Sequence, residues 1–304
     1  MNMESTMTPG RPTRFKIWVS AIRPATLWAG LAPVLVATAL AMGDGFFAWM
    51  PAAAAAMGAI LIQIGTNLVN DYADADRGAD GPDRLGPARA TSQGWLTRNE
   101  VVRGAIIALG LAILIGIYIV MEGGWPLLAI GLASVVCAIA YTAGPFPLGY
   151  KGLGDVFVLL FFGGAAVCGT YYLETGTLTV GAMLVSAAMG MLATAILVVN
   201  NLRDRHTDER VGKRTLAVRF GAKFARWEYG FMIVGAYVCI VIAVVMNAAP
   251  TSWLLVFISC PLAMIELVKI RRVDGVDLNP MLGSTARLEL IFGLTLSIGA
   301  VWPW

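Results

Sequence analysis

The chain has 304 residues, 58% of them hydrophobic and only 13% charged, with a mean hydropathy of +0.73 and a formal charge of +3. Soluble domains carry about 25% charged residues, so the composition excludes an ordinary water-facing globular enzyme. It indicates a polytopic membrane protein with the lipid bilayer as its main partner and no nucleic-acid partner.

In chain order, residues 1–17 form a polar N-terminal tail without the apolar core and cleavage pattern of a signal peptide. Residues 18–304 read as one membrane domain. Runs of about 20 apolar residues predict nine spans, at 22–42, 49–70, 101–121, 125–143, 153–173, 178–202, 227–246, 252–270 and 284–301. In lipid the backbone must satisfy its own hydrogen bonds, so each span is expected to be helical and the fold all-α. The four cysteines (Cys137, Cys168, Cys239, Cys260) fall in apolar stretches without CxxC or histidine pairing, and read as small packed hydrophobes. Trp18, Trp49, Trp125, Trp227, Trp253 and Trp304 mark span ends, as in an interfacial aromatic belt. Gly163-Gly164 reads as close helix packing.

Basic residues alternate between loops. Arg11, Arg14, Lys16 and Arg23 accompany the first span, Arg77 to Arg103 the second-to-third loop, and Lys151 the fourth-to-fifth. Arg203 to Arg226 occupy the sixth-to-seventh loop, and Lys269, Arg271, Arg272 and Arg287 flank the eighth-to-ninth. The opposite loops hold acids only, Asp44, Glu122 and Glu174. The positive-inside rule therefore puts the N-terminus in the cytoplasm, and nine spans leave Trp304 outside.

Two clusters carry chemistry. The first runs Asn67-Leu-Val-Asn70-Asp71-Tyr-Ala-Asp74-Ala-Asp76-Arg77-Gly78-Ala-Asp80. If the second span continues through it, Asn67, Asn70, Asp71 and Asp74 share a helical face. The second, Asn200-Asn201-Leu-Arg203-Asp204-Arg-His206-Thr-Asp208, is followed by Gly212-Lys213-Arg214-Thr215. Here Asn200, Asn201, Asp204 and Asp208 share a face. Carboxylates stacked this way repel, and a hard divalent cation fits between them. Mg²⁺ favours one or two carboxylates plus phosphate oxygens. Arg77, Arg84, Arg89, Arg203 and Lys213 beside the acids suit the remaining charge of a diphosphate. His206 faces away from both motif acids and reads as a solvated loop residue. Gly-Lys-Arg-Thr lacks the glycine spacing of a P-loop.

The paired clusters resemble the two Asp-rich motifs of the UbiA-type superfamily of intramembrane prenyltransferases. Asp204 and Asp208 follow the family's DxxxD pattern; the first motif departs from NDxxDxxxD, because Gly78 stands at its last position. That departure is similar to the 1,4-dihydroxy-2-naphthoate polyprenyltransferase branch, with NxxNDYxD (Asn67 to Asp74), Gly78-Ala-Asp80, Arg84-Leu-Gly-Pro-Ala-Arg89 and Tyr150-Lys151-Gly-Leu-Gly-Asp155. The resemblance implies a nine-helix bundle around a central cavity, with the motifs at its cytoplasmic mouth in a bacterial inner membrane. It implies Mg²⁺ as cofactor, and a polyprenyl diphosphate and 1,4-dihydroxy-2-naphthoate as substrates.

It further implies Asp71, Asp74, Asp204 and Asp208 as metal-binding carboxylates, with Asn67 and Asn201 as supporting ligands. Asp80 is either a further acid or a loop brace. Lys151 is placed to reach diphosphate or acceptor, and Asp155 is either the acceptor's base or a salt-bridge partner of Lys151. Arg23 is either a ligand of the acceptor's carboxylate or an interfacial anchor, and Tyr141 is a candidate for the cavity wall. The rival readings are another aromatic acceptor (4-hydroxybenzoate, homogentisate or a porphyrin) and a secondary transporter, which would place its charges nearer mid-bilayer.

Overall fold

A computed structural model describes residues 12–81 and 83–302; Arg11, Trp304 and most of the expected tail lie outside them. Among the described residues the chain is helical, without strands. A short helix α1 (Arg14–Ile22) opens with Thr13 as its cap and ends at Arg23, whose φ of 53° breaks the helix. Pro24 then starts α2 (Pro24–Gly43), the position where its missing N–H is harmless. α3 (Trp49–Asp76) has 28 residues, or about 42 Å at 1.5 Å per residue. That exceeds the roughly 30 Å hydrocarbon core, so α3 must tilt in the bilayer or project beyond it. The first Asp cluster sits on the last turns of α3, as the sequence pattern anticipated.

A loop leads to α4 (Arg98–Gly123), which begins with a reciprocal capping box between Thr97 and Glu100. α5 (Trp125–Ala140) follows, ending earlier than the expected 143 because Gly144, Pro145 and Pro147 cannot continue it. α6 (Gly154–Thr175) winds as a π-helix between Leu159 and Cys168. α7 (Val180–Arg203) is followed by the short α8 (Arg205–Arg210). α9 (Leu216–Val245) starts eleven residues before the expected seventh span and breaks at Gly221, whose φ is 81°. α10 (Thr251–Lys269) begins as a 3₁₀ segment, and α11 (Gly275–Val301) closes the chain.

Eight of these helices are long and apolar enough to cross a membrane; the expected fourth span, α5, is apolar but has 16 residues. The chain is thus an all-α, multi-pass membrane protein. Trp49, Trp125 and Trp227 are exposed, as a belt requires, whereas Trp253 is 7% exposed and belongs to the core. Its indole packs where a Cβ on Gly181 would touch it, so span-end position alone misassigned it.

Two apolar cores form. One joins α2, α7, α9, α10 and α11 through residues such as Val36, Leu192, Ile233, Val256 and Phe292. The other joins α1, α3 and α4 through Ile17, Leu68 and Val101. α6 and α7 approach closely at Gly163 and Gly190: a Cβ on Gly190 would lie 2.6 Å from the Leu159 carbonyl oxygen. Backbone cannot yield there as a flexible side chain would. Gly190→Ala is therefore expected to destabilise the solubilised protein by about 1–3 kcal/mol. Gly110→Ala, where nothing lies within 4 Å, is expected to leave the melting temperature unchanged or slightly raised; paired thermal melts check both.

Candidate active site

Between the two cores lies a cavity of about 1370 Å³, larger than the roughly 300–1,000 Å³ usual for small-molecule pockets. On α3 its wall runs from Ala55 to Asp74, roughly 28 Å at the helical rise. One end is charged and the shaft below it is apolar.

The charged end contains five acids (Asp71, Asp74, Asp80, Asp204, Asp208) and five bases (Arg23, Arg84, Arg89, Arg203, Lys213). These formal charges balance. A diphosphate entering alone would leave a large negative excess, which divalent cations would offset.

The two motifs arrive from α3 and from the α7–α8 junction. Asp71 accepts backbone N–H groups of Ala90 and Thr91, at 3.1 and 2.9 Å, and so folds the following loop over the cavity. Asp74 accepts the Tyr150 hydroxyl at 2.8 Å and lies 3.5 Å from Arg89. Asp80 pairs with Arg84 and, at 3.6 Å, with Arg89. Burial pushes the Asp80 carboxyl up to about 6, against the pull of Arg84. α7 ends at Arg203, so Asp204 is the junction residue rather than mid-helix, yet Asp208 N–H still donates to its carbonyl at 2.8 Å. Asn200, Asn201, Asp204 and Asp208 consequently all reach the cavity. Asp208 is 3.3 Å from the Lys213 ammonium, and its Oδ2 is buried without a hydrogen bond. Burial raises its carboxyl to about 6, opposed by Lys213. Burial works against the Lys213 charge too, but Asp208, Asp74 and Asp204 outweigh it and raise the ammonium.

Among the described residues no three acids or other ligating side chains gather closely enough to hold a bare ion. The donor set instead fits a hard cation that takes one or two carboxylates and completes its shell with substrate oxygens. The orphaned oxygen of Asp208 is the clearest free ligand. Arg89 is 8% exposed, and its Nε and Nη1 have no hydrogen-bond partner. It is therefore a cation held loosely by Asp74 and Asp80 at the cavity wall, with Nη1 free to donate.

Other sequence candidates take different places. Asn67 does not line the cavity; its amide donates to the Ile22 carbonyl at 2.9 Å and Thr26 Oγ1 at 2.8 Å, tying α3 to the α1–α2 corner. Arg77 also lies off the wall, donating to the Thr142 and Gly144 carbonyls. Lys151 is exposed outside the cavity, its ammonium 5.3 Å from the Phe146 ring, and it does not bond Asp155, whose carboxylate oxygens have no partner. Asp155 is 5% exposed with both carboxylate oxygens unpartnered, and it too stands behind the wall. Tyr141 is on the wall, its hydroxyl against Gly154. Arg23 lines the cavity with a buried, unpartnered Nη2, so it is no surface anchor. Arg203 lines it as a brace, each guanidinium nitrogen engaged with Asp204, Asn200 or Asn279. His206 is exposed beside Arg205.

Two residues were not singled out from sequence. Tyr150 reaches Asp74 because its loop is clamped: the Arg214 N–H donates to the Tyr150 carbonyl at 3.0 Å. Asn279 accepts from Arg203 at 2.9 Å and donates to the Leu85 carbonyl at 2.8 Å. No acidic pattern surrounds Asn279; only its Asn-Pro helix start hints at a fixed position.

Comparison with known proteins agrees with this architecture. The model of the UbiA prenyltransferase family matches residues 30–280. A 1,4-dihydroxy-2-naphthoate octaprenyltransferase of Escherichia coli is 38% identical over 300 residues, covering 96% of this chain and 97% of that one. One from Mycobacterium tuberculosis is 35% identical, covering 93% and 96%. A UbiA homologue of Aeropyrum pernix superposes with a TM-score of 0.69 at 12% identity, covering 89% and 97%. Another, from Archaeoglobus fulgidus and bound to DMAPP and Mg²⁺, gives 0.61 at 16%, covering 93% and 99%. With the family model spanning most of its length and relatives above 30% identity along nearly all of it, the chain belongs to the UbiA prenyltransferase family.

Proposed function

We propose that the chain transfers a polyprenyl group from an allylic diphosphate to 1,4-dihydroxy-2-naphthoate in a Mg²⁺-dependent reaction. The products are demethylmenaquinone, diphosphate and CO₂. The observation that carries this reading is the charge-balanced head on a long apolar shaft; the activity named for the E. coli and M. tuberculosis relatives supports the acceptor.

Asp71, Asp74, Asp204 and Asp208 would hold the divalent cations. When bound, these neutralise the leaving diphosphate. Arg84, Arg89 and Lys213 bind the phosphate oxygens, Arg89 through its free Nη1. Asn201, on the wall at the start of the second motif, orients the same group. The apolar shaft holds the isoprenoid tail and keeps water from the allylic centre as its C–O bond breaks and a bond to the ring carbon forms. Arg23 receives the acceptor's carboxylate through Nη2, and Tyr141 packs against the ring. Residues 18–304 act as one domain, embedded in a bacterial inner membrane with the head toward the cytoplasm, a reading supported by the basic residues in the loops of that side.

The test is prenyl transfer by detergent-purified protein supplied with 1,4-dihydroxy-2-naphthoate, a long-chain allylic diphosphate and Mg²⁺. The expected result is a decarboxylated, prenylated naphthoquinol whose formation EDTA abolishes and Mg²⁺ restores. Product from 4-hydroxybenzoate alone would overturn the acceptor, and EDTA-resistant turnover would overturn the metal.

A further inference from the structure

Gln63 lies on α3 two helical turns below Asn70, where the neighbouring wall is Gly30, Ala59 and Ile62. An amide at that depth in an apolar shaft is costly unless it is used. Its orientation is fixed by a chain of contacts. The Ile22 carbonyl can only accept, so the edge of Asn67 that meets it at 2.9 Å is the NH₂. The same NH₂ donates at 2.8 Å to Thr26 Oγ1, whose own proton goes to the Arg23 carbonyl at 2.9 Å. Asn67 Oδ1 is therefore the atom facing Gln63, and it accepts from the Gln63 NH₂ at 3.4 Å. Gln63 Oε1 is left as the outer end of the amide, opposite Gly30, and among the described residues no donor reaches it.

The shaft thus offers a directed amide acceptor in Gln63 Oε1, and Gly30 leaves the space before it unfilled, since a Cβ there would lie 3.9 Å from that oxygen. A prenyl tail has nothing to give such an atom. A phenolic hydroxyl does: donation to an amide oxygen anchors the ring and raises its electron density. The same contacts tie Gln63 through Asn67 and Thr26 to Arg23, so carboxylate site and hydroxyl site belong to one braced unit of α2 and α3.

We propose that Gln63 Oε1 accepts a hydrogen bond from one ring hydroxyl of the aromatic acceptor, and so determines selection against a naphthoate that lacks that hydroxyl. The proposal rests on the naphthoate reading above.

The test is calorimetric binding by the purified full chain of 1,4-dihydroxy-2-naphthoate, 1-hydroxy-2-naphthoate and 4-hydroxy-2-naphthoate, with wild type and Gln63→Leu. Gln63→Leu is expected to weaken the dihydroxy compound roughly tenfold. It should weaken one monohydroxy analogue by the same factor and leave the other, which lacks the contacted hydroxyl, unchanged. Affinity for geranylgeranyl diphosphate with Mg²⁺ should stay within twofold in both proteins, which reports an intact head. Equal effects on all three ring compounds, or none, would overturn the role of Gln63 while leaving the naphthoate reading standing. A wild type that binds none of the three would sink that reading and this inference together.

Discussion

Asp208→Asn lowers prenyl transfer by a factor on the order of 10²–10³ without lowering the melting temperature. The two halves of this expectation have separate causes. Asp208 is buried, its Oδ2 has no hydrogen bond, and its carboxyl is pushed up to about 6. An acid raised above its unfolded value is less stable in its ionised form when folded; stability falls as pH rises from about 4 through 6. The neutral amide removes that penalty at pH 7, and Asp74 and Asp204 still offset the buried Lys213 ammonium that Asp208 faced, so the metal-free variant melts near the wild-type temperature while the ligand is lost. Asp71→Asn behaves differently. Its two oxygens each accept a backbone N–H, from Thr91 and Ala90, and an amide NH₂ cannot replace one of them. It therefore loses both activity and stability. Turnover within threefold of wild type for Asp208→Asn would remove that residue from the metal site.

Arg203→Ala produces the second large effect, and it is structural. The side chain is 2% exposed and forms a bidentate pair with Asp204, at 2.8 and 2.6 Å, while holding Asn200 and Asn279. Removing it leaves a buried carboxylate uncompensated, a loss of roughly 3–5 kcal/mol. The expected readout is a lower melting temperature in detergent together with lost turnover. Arg203→Lys recovers part of the charge but not the fork, so it falls between the two. A melting temperature unchanged in Arg203→Ala would show that Asp204 is neutralised by some other group.

Much of this fold was legible because membrane spans announce themselves: long apolar runs, acids and bases sorted by loop. The departures fall where local chemistry overrides the run. α5 is cut short by glycine and prolines, α10 begins as 3₁₀, and α9 extends through the polar stretch after Thr215. On α3, three- and four-residue spacing identified Asp71 and Asp74 as facing the cavity, because helical geometry fixes that; Asp204 and Asp208 reach it across the α7–α8 junction. Spacing says nothing about what a side chain meets across the bundle. Thus Asn67 shares the motif's face yet turns to the Ile22 carbonyl, and Lys151, the only base in its loop, lies outside while Tyr150 beside it donates to Asp74. Tyr150 and Asn279 depend on contacts 76 and 194 residues away in the chain, a kind of information no local motif carries.

The knot that joins Leu85, Arg203 and Asn279 also dictates a calendar for biosynthesis. Its third member lies in α11, 194 residues after Leu85 and therefore made after it. Until that helix is inserted, Arg203 lacks one partner and the loop carrying Arg84 and Arg89 lacks its tether. The charged head of the cavity is therefore complete only once the α3–α4 loop, α7 and α11 have packed together, so its assembly waits on the slowest of the three.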